Sequence, residues 1–330
     1  MTMLPSLIER FFTQRLIQQR NASPNTIASY RDTFRLLLKF AERKLHKQPS
    51  HLDLGDLDAP FIASFLEDLE ARRGIGAQTR NLRLTAIRSF FRFVAFEEPA
   101  HSQQIQRILV IPGKLSAKRE VQFLTRSEIE AIVAAPDRRT WIGRRDAALL
   151  LTAVQTGLRL SELTGLDRDS VHLGVGAHVR CSGKGRKDRS TPLTRLSRDT
   201  LKAWLTEPPR HGAAALFPSS FGTRLSPDAV QLLLAKYVRE ASERCRSLRT
   251  KRVSPHVLRH SAAMELLHAG VDTSVISLWL GHESTRSTQR YLHAHLALKE
   301  AALARVAPME GQRAGRFKAD DKLLAFLNAL

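Results

Sequence analysis

The N-terminal part of the chain shows a succession of amphipathic helical patterns separated by short polar breaks. Ser23 and Pro24 form an N-cap followed by a first-turn proline, which predicts the start of one helix. Further helices are predicted over residues 58–73 and 78–96. The residues predicted to face inward from the last of these are Leu82, Ile87, Phe90, Phe91 and Val94. The pattern predicts an all-α domain over residues 1–98.

A different pattern follows. Residues 99–122 are interrupted by Pro and Gly, have no sustained period, and are predicted to be a linker. Thr125 and Glu128 then have the spacing of a capping box at the start of a helix. The apolar run Ala147–Val154 falls far short of the roughly 18 residues of a membrane span, so it predicts a buried helix.

The second domain also contains one pattern typical of strands. Val179 and Cys181 alternate with polar residues before Gly183-Lys184-Gly185, which predicts a β-hairpin with a basic tip. The remainder is helical in pattern. The predicted fold class is therefore mainly α, with a small β-hairpin or sheet in a second domain over residues 123–310.

The C-terminal segment, residues 311–330, begins with a glycine-containing break and continues as an amphipathic helix over 318–330. Its apolar positions are Leu323, Leu324, Phe326, Leu327 and Leu330. Such a face must be buried somewhere. It packs either on its own domain or on a neighbouring copy of the chain.

Composition and charge point to a partner. The chain has 330 residues, enough for two domains, and its 43% hydrophobic content excludes disorder as the main state. It carries 52 Lys and Arg against 32 Asp and Glu, a net charge of +20. Residues 1–120 hold 19 basic and 12 acidic residues, and the remainder holds 33 and 20. An excess shared by both domains suits contact with one nucleic acid from two sides.

Several familiar classes of site are excluded by residue type and spacing. Two cysteines are too few for a disulfide framework and fit a reducing cytoplasm, and the N-terminus lacks the layout of a signal peptide. His178 stands where a P-loop around Lys184 would need glycine. His256 and His260 are spaced like zinc ligands, but Val257 replaces the required Glu and no third ligand is evident. The sequence predicts no metal and no nucleotide cofactor.

Six residues able to bind phosphate or transfer a proton occur at helix starts and turns. Taken singly, each has an ordinary interpretation as a surface or core side chain. Together, five sequence elements carry them in a fixed order. The elements are TGLRLSEL (156–163), GKGRKDRSTPL (183–193), HVLRH (256–260), LGHES (280–284) and Tyr291.

In order and spacing these elements resemble the tyrosine site-specific recombinases of the phage integrase family. SPNTIASYRDTFRLLLKF in the first domain also looks like that family's core-binding domain. The resemblance implies a C-shaped DNA clamp made of a helical core-binding domain (1–98) and a catalytic domain (123–310). The implied catalytic set is Arg159, Lys184, His256, Arg259 and His282, with Tyr291 as the nucleophile.

These residue types suit the implied chemistry. Two always-protonated guanidinium groups can hold the non-bridging oxygens of a phosphodiester bidentately, so no metal is needed. A tyrosine has an ordinary pKa near 10 and needs a base or nearby positive charge to attack at neutral pH. We expect His256 to act as the base, Lys184 to protonate the leaving 5′ oxygen as in relatives, and His282 to hydrogen-bond the phosphate.

Elimination also favours Tyr291, since the chain has only three tyrosines. Tyr30 belongs to an apolar helical stripe, and Tyr237 lies on a core-like helix.

Further residues are predicted to support the site or to bind DNA. Glu162, three residues after Arg159, either pairs with an arginine or is an exposed helix acid. The run from Arg244 to Arg252 either lies along phosphates or is a solvated basic face. The predicted DNA-contact residues are Arg80, Arg83, Arg88, Arg186, Lys187, Arg244, Arg246, Arg249, Lys251 and Arg252.

The predicted function is a DNA recombinase or integrase that works through a 3′-phosphotyrosyl intermediate in integration, excision or transposition. Its predicted partner is double-stranded DNA with paired half-sites, bound by a homo-tetramer on two DNA sites, alone or with sister recombinases. A bacterial, nucleoid-associated location in the cytoplasm is expected, without membrane contact. The alternatives are a type IB-like topoisomerase and a catalytically idle DNA-binding accessory protein.

Overall fold

The structure is a computed structural model, which describes residues 3–116, 122–183 and 188–281. The chain divides into two compact units, Met1–Arg119 and Glu120–Leu330. No helix within the described ranges is long and apolar enough to cross a membrane. The predictions that lie outside the described residues concern Lys184, Arg186, Lys187, His282, Tyr291 and the segment 311–330.

All regular secondary structure in the described residues of the first unit is helical. Its helices are α1 (Leu4–Arg10), which continues as a π-helical segment (Phe11–Gln19), α2 (Pro24–Leu45), α3 (Ala59–Arg73), α4 (Ala77–Glu97) and α5 (Ser102–Leu109). Helix α2 begins where the sequence predicts, since the Ser23 hydroxyl accepts a hydrogen bond from the Thr26 backbone N–H. The all-α prediction for this region is confirmed.

Aromatic side chains fill the core of this unit. The rings of Phe34 and Phe90 meet edge to face with centroids 5.1 Å apart, and Phe11 packs on Phe90 at 5.5 Å. The inward prediction for Leu82 is wrong, because that side chain is 60% exposed and Leu84 is buried instead. Leu84 precedes the buried Ile87 by three residues and so shares its helix face, whereas Leu82 does not.

The predicted linker is partly ordered helix. Residues Ser102–Leu109 form α5, whose Ile105 and Ile108 are fully buried in the core of the first unit. The prediction of an irregular linker over 99–122 is therefore wrong for this part. Two apolar positions three residues apart were too short a pattern to reveal one buried helical turn.

An extended segment after α5, residues 111–114, is fastened to α4. Asn81 donates to the Lys114 carbonyl at 2.7 Å and accepts from the Lys114 N–H at 2.9 Å. Arg80 donates to the Pro112 carbonyl at 3.3 Å, and Arg88 donates to the Ile111 carbonyl. We call residues 111–114 the strap. The carbonyl groups of Ile111, Pro112 and Lys114 accept hydrogen bonds from side chains of α4.

The second unit is mainly α with one small sheet, as predicted. Its helices are α6 (Arg126–Ala134), α7 (Trp141–Thr156), α8 (Leu160–Gly165), α9 (Arg195–Thr206), α10 (Pro227–Arg244), α11 (Pro255–His268) and α12 (Thr273–Leu280). The capping box predicted for α6 is present, with Thr125 and Glu128 each accepting from the backbone of the other.

The predicted hairpin is present within a three-stranded antiparallel sheet. The strands β1 (Val171–His172), β2 (His178–Ser182) and β3 (Asp188–Pro192) lie in chain order. Cys181 pairs with Arg189 and Val179 with Thr191. Because these partners lie on one face of the sheet, Arg189 shares the face of the buried Val179, Cys181 and Thr191.

Helix α7 lies at the centre of this unit. It packs against α6, α9 and α11, and most of its predicted buried run is buried. Tyr237 on α10 is also buried, and its hydroxyl donates to the Asp146 carboxylate at 2.9 Å. Asp146 in turn accepts from Arg145 at 2.8 Å. This internal network places Tyr237 in the core.

Candidate active site

The site is built where α7 ends. Gly157 caps α7 in the left-handed region, with φ of +62°. A Cβ at this position would lie 2.6 Å from Leu280 Cδ2 and 3.2 Å from Ala262 Cβ. Glycine is therefore required both by the backbone angle and by the close approach of α11 and α12. The turn directs the chain into Arg159 at the start of α8.

Arg259 joins three parts of the second unit. It lies on α11, is 3% exposed, and donates from Nη1 to the Gly157 carbonyl and from Nη2 to the Leu280 carbonyl, both at 2.6 Å. A guanidinium group has five donors in a fixed plane, so it can serve two carbonyls with defined geometry. Arg259 thereby sets the turn after α7 against the last residue of α12.

The side chain of Arg159 is fixed next to that of Arg259. Its Nη2 donates to the Gly281 carbonyl at 2.8 Å, and its side chain is 29% exposed. Leu280 and Gly281 are consecutive, so the two guanidinium groups bind neighbouring carbonyls at the end of α12. Gly281 closes that helix with φ of +63°. Sequence order places His282 directly after this carbonyl pair.

Glu162 is buried and contacts Arg159. Its carboxylate accepts from the Arg159 backbone N–H at 2.7 Å and from Arg159 Nη1 at 2.8 Å. The structure places Glu162 as a paired acid, one of the two interpretations that the sequence left open. Burial alone would raise the pKa of Glu162, but hydrogen bonds from Arg189 and Arg159 lower it to about 2.

Arg189 was missed by the sequence analysis. From β3 it donates Nη1 to Glu162 Oε1 at 2.9 Å and Nη2 to Oε2 at 2.7 Å, a bidentate pair, and its side chain is 12% exposed. The available signal was strand alternation. Arg189 lies two residues before the inward Thr191, which is an unusual place for a charge without a buried partner.

His256 lies on the first turn of α11, three residues before Arg259. Ser254 caps this helix and Pro255 is its first residue. His256 is exposed, and its ring meets that of His260 edge to face with centroids 5.0 Å apart. The structure thus pairs Arg159 with Glu162 and places Arg159 and Arg259 on the consecutive carbonyls of Gly281 and Leu280. His256 lies on the same helix as Arg259.

All three predicted DNA-contact residues in the first unit have internal hydrogen-bond partners. Arg80 is 6% exposed and, like Arg88, holds a carbonyl of the strap. These contacts, made with residues about 20 to 30 positions away along the chain, give both arginines a structural role, and their contact with DNA stays a prediction. Arg83 is half-buried and donates to Ser29 and Thr33, and it lines a cleft with Arg35, Lys39 and Arg73. DNA contact by Arg83 stays a prediction.

In the second unit Lys251 has internal partners, and its contact with DNA stays a prediction. Its ammonium group donates to the buried Glu128 carboxylate at 2.7 Å and to the Phe123 carbonyl at 3.1 Å. Hydrogen bonds from Lys251 and Ser247 outweigh burial and lower the pKa of Glu128. The remaining members of the run are exposed, and their contact with DNA stays a prediction. They are Arg244, Arg246, Arg249 and Arg252.

Metal binding has no visible basis in the part of the chain that the structure describes. Within residues 3–116, 122–183 and 188–281, no three His, Cys, Asp or Glu side chains form a group that could hold a metal ion. The site residues described there are three arginines, a buried carboxylate and a histidine.

Both units match known protein families. Residues 122–297 match the phage integrase family, and residues 8–98 match the phage integrase N-terminal SAM-like domain. "Putative integrase/recombinase y4rC" of Sinorhizobium fredii (strain NBRC 101917 / NGR234) is 59% identical over 99% of this chain and 98% of its own length. Tyrosine recombinase XerC of Pelotomaculum thermopropionicum is 35% identical, covering 83% of this chain and 89% of that protein.

Solved structures share the fold. The XerH recombinase bound to palindromic difH substrate in a post-cleavage complex matches with a TM-score of 0.70 at 24% identity, covering 87% of this chain and 81% of that one. The Tn1549 transposon integrase in complex with transposon right end DNA matches with a TM-score of 0.69 at 15% identity, covering 93% and 100%. At these identities the likeness concerns the fold alone.

The fold and the matches together define a DNA strand-cleaving and strand-joining enzyme of the tyrosine recombinase class. The chain belongs to the phage integrase family. The family, the mainly α fold with a small sheet, and the enzyme class predicted from the sequence are confirmed.

Proposed function

We propose that this chain is a site-specific recombinase in which Tyr291 is the nucleophile. The phenolic oxygen forms a bond to the scissile phosphorus, the bond from phosphorus to the 5′ oxygen breaks, and a 3′-phosphotyrosyl ester and a free 5′ hydroxyl result. A 5′ hydroxyl from another strand then reverses the step. Since one ester replaces another, no external energy source or metal is needed.

The observation that carries the proposal is the arginine pair at the end of α12. Arg159 and Arg259 bind the consecutive carbonyls of Gly281 and Leu280 at 2.8 and 2.6 Å, which fixes two guanidinium groups side by side. Two such groups suit a pentacoordinate phosphate, whose charge grows on its non-bridging oxygens. Because their positions are set by backbone and by Glu162, they need little reorganisation when the charge develops.

Proton transfer is assigned to residues around this pair. His256 takes the phenol proton as Tyr291 attacks, and Lys184 gives a proton to the departing 5′ oxygen. His282 follows the carbonyl pair directly in sequence and hydrogen-bonds a non-bridging oxygen. Each role matches the ordinary chemistry of its residue type.

The proposal is tested with a pool of random-sequence duplexes that carry one nick, so that the short downstream strand is lost after cleavage and the adduct is trapped. The expected result is an SDS-resistant adduct on DNA labelled at the 5′ end of the cut strand, absent for Tyr291→Phe. An adduct joined to the 5′ end of the downstream strand, detected with a 3′-end label, would overturn the assignment. Strand exchange between two recovered sites separates recombination from nicking and resealing of one duplex, as in a topoisomerase.

We also propose that both units contact the DNA, through Arg83 and the cleft residues Arg35, Lys39 and Arg73 in the first unit and the exposed arginines 244–252 in the second. Affinity should then fall steeply with salt, with a log-log slope of about −0.9 per phosphate neutralised. Replacing Arg35, Lys39 and Arg73 together by Gln should flatten the slope. An unchanged salt dependence of the affinity would show that this cleft does not contact DNA phosphates.

The assembly that we propose has four copies on two DNA sites with paired half-sites. Its support is the amphipathic pattern of residues 318–330, which suits docking on a neighbouring copy. The proposed setting is integration, excision or transposition of a mobile element, with the protein bound to DNA of the bacterial nucleoid in the cytoplasm.

A further inference from the structure

Four groups from three elements close a ring of contacts around the base of Arg159. Arg189 on β3 donates a hydrogen bond to each carboxylate oxygen of Glu162. The same carboxylate accepts from Nη1 and from the backbone N–H of Arg159. Arg159 holds the Gly281 carbonyl. The ring closes because the Arg189 side chain lies against Gly281, where a Cβ would be 2.7 Å from Arg189 Nη1.

The ring of contacts fixes the orientation of the Glu162 carboxylate. A carboxylate held by one arginine can rotate about its side-chain torsions, whereas a second, bidentate partner from another element removes that freedom. Oε1 accepts from Nη1 of both arginines, and Oε2 accepts from the Arg159 N–H and from Arg189 Nη2. All four contacts lie between 2.7 and 2.9 Å. Glu162 is therefore the shared partner through which β3 sets the guanidinium plane of Arg159.

We propose that Arg189 is a positioning residue for strand cleavage, acting through Glu162 to aim Arg159 at the scissile phosphate. This inference rests on the proposed function, because it takes Arg159 to be the phosphate-binding group. In this proposal Arg189 acts on Glu162 and not on the phosphate. Both of its terminal nitrogens donate to the carboxylate that also accepts from Arg159.

The test variant is Arg189→Gln, assayed by the rate of covalent adduct formation on a half-site recovered with the wild-type protein. We expect the rate to fall about 10- to 100-fold, because small misplacements of a group that contacts the reacting atoms have effects of this size. DNA affinity should be unchanged, since in this proposal Arg189 acts on Glu162 and not on the DNA.

The positioning role also predicts a change in the pH profile. The groups that face Glu162 are Arg159 on its own helix, Arg189 on β3 and Cys181 on β2, with Arg259 on α11 close to the same thiol. Removing Arg189 removes the strongest of the interactions that lower the pKa of Glu162, so this carboxylate should protonate at a higher pH in the variant. The ratio of wild-type to variant rate should therefore increase as the pH is lowered.

Two variants separate positioning from simple destabilisation. Arg145→Gln removes a buried arginine that pairs with Asp146 at 2.8 Å near the start of α7, outside the ring. It should lower the melting temperature without a pH-dependent loss of cleavage by the folded protein. Arg189→Lys keeps the charge but not the bidentate geometry, so it should show a smaller loss with the same pH trend.

The double variant Arg189→Gln/Glu162→Gln should be no slower than the slower single variant, because both changes break one chain of contacts. Wild-type cleavage by Arg189→Gln at every pH would overturn the inference. If that variant does not fold, wild-type cleavage by Arg189→Lys at every pH would do the same. If the wild-type protein itself forms no adduct, the proposed function fails instead.

Discussion

The buried carboxylate of Glu162 should make the stability of the second unit depend on pH in a defined window. Its pKa is about 2 in the folded protein, against an ordinary value of 4.5. A carboxyl group with a lowered folded-state pKa stabilises the fold above its unfolded-state pKa, and this stabilisation is lost as the pH falls. The window therefore extends from about pH 4.5 down to about pH 2.

The size of the stabilisation follows from the difference between the two pKa values of Glu162. Holding the carboxyl ionised over this range contributes about 3 kcal/mol at neutral pH. About 2 kcal/mol of this should be lost between about pH 6 and about pH 3, where measurement is practical. Glu162→Gln removes the titrating group, so the free-energy difference between wild-type and variant should shrink by that amount as acid is added.

Tryptophan fluorescence during urea unfolding provides a specific assay, because all three tryptophans, Trp141, Trp204 and Trp279, belong to the second unit. The matched control is Glu130→Gln, whose carboxylate is 63% exposed and pairs with Arg126. Exposed ion pairs contribute little, so its difference from wild-type should be small and flat. A flat difference for Glu162→Gln as well would refute the reasoning.

Three further predictions concern the site and its surroundings. Arg159→Lys and Arg259→Lys should each slow adduct formation at least about 100-fold while DNA binding persists, and near-normal rates would show that these arginines are structural. Gly157→Ala should lower the free energy of unfolding by about 1 to 3 kcal/mol, whereas Gly165→Ala, with nothing within 4 Å of the added Cβ, should not. Ending the chain at residue 314 should weaken cooperative binding to paired half-sites; a large drop in the melting temperature of the monomer with intact cooperativity would show that the helix packs on its own unit.

Local sequence signals predicted the elements that carry the site. The Ser23 and Thr125 caps each act within a few residues, so they can be predicted from the local sequence. The strand alternation around Val179 likewise gave the hairpin. The spacing of Arg159 and Glu162 allowed a pair, because three residues on a helix bring side chains to one face, but it left an exposed helix acid equally open.

Contacts between distant residues could not be predicted in this way. Arg80 and Arg88 were expected on DNA, but they hold strap carbonyls 32 and 23 residues further along the chain. Lys251 pairs with Glu128, 123 residues away. An arginine that faces a phosphate and one that faces a carbonyl have the same local pattern. Arg189 was not predicted for the same reason, because its partner, the Glu162 carboxylate, lies 27 residues earlier in the chain.

The central claim is that the 3′ phosphate of the cut strand becomes covalently bonded to Tyr291. Peptide mapping of the trapped adduct tests this claim most directly. Adduct formed on the nicked duplex pool is digested with protease and nuclease, and the nucleotide-bearing peptide is sequenced by mass spectrometry. The account predicts one modified peptide, with a 3′-linked nucleotide on Tyr291, and none from Tyr291→Phe. A nucleotide on Tyr30, Tyr237 or any residue other than Tyr291 would contradict it, as would adduct formation by the Phe variant.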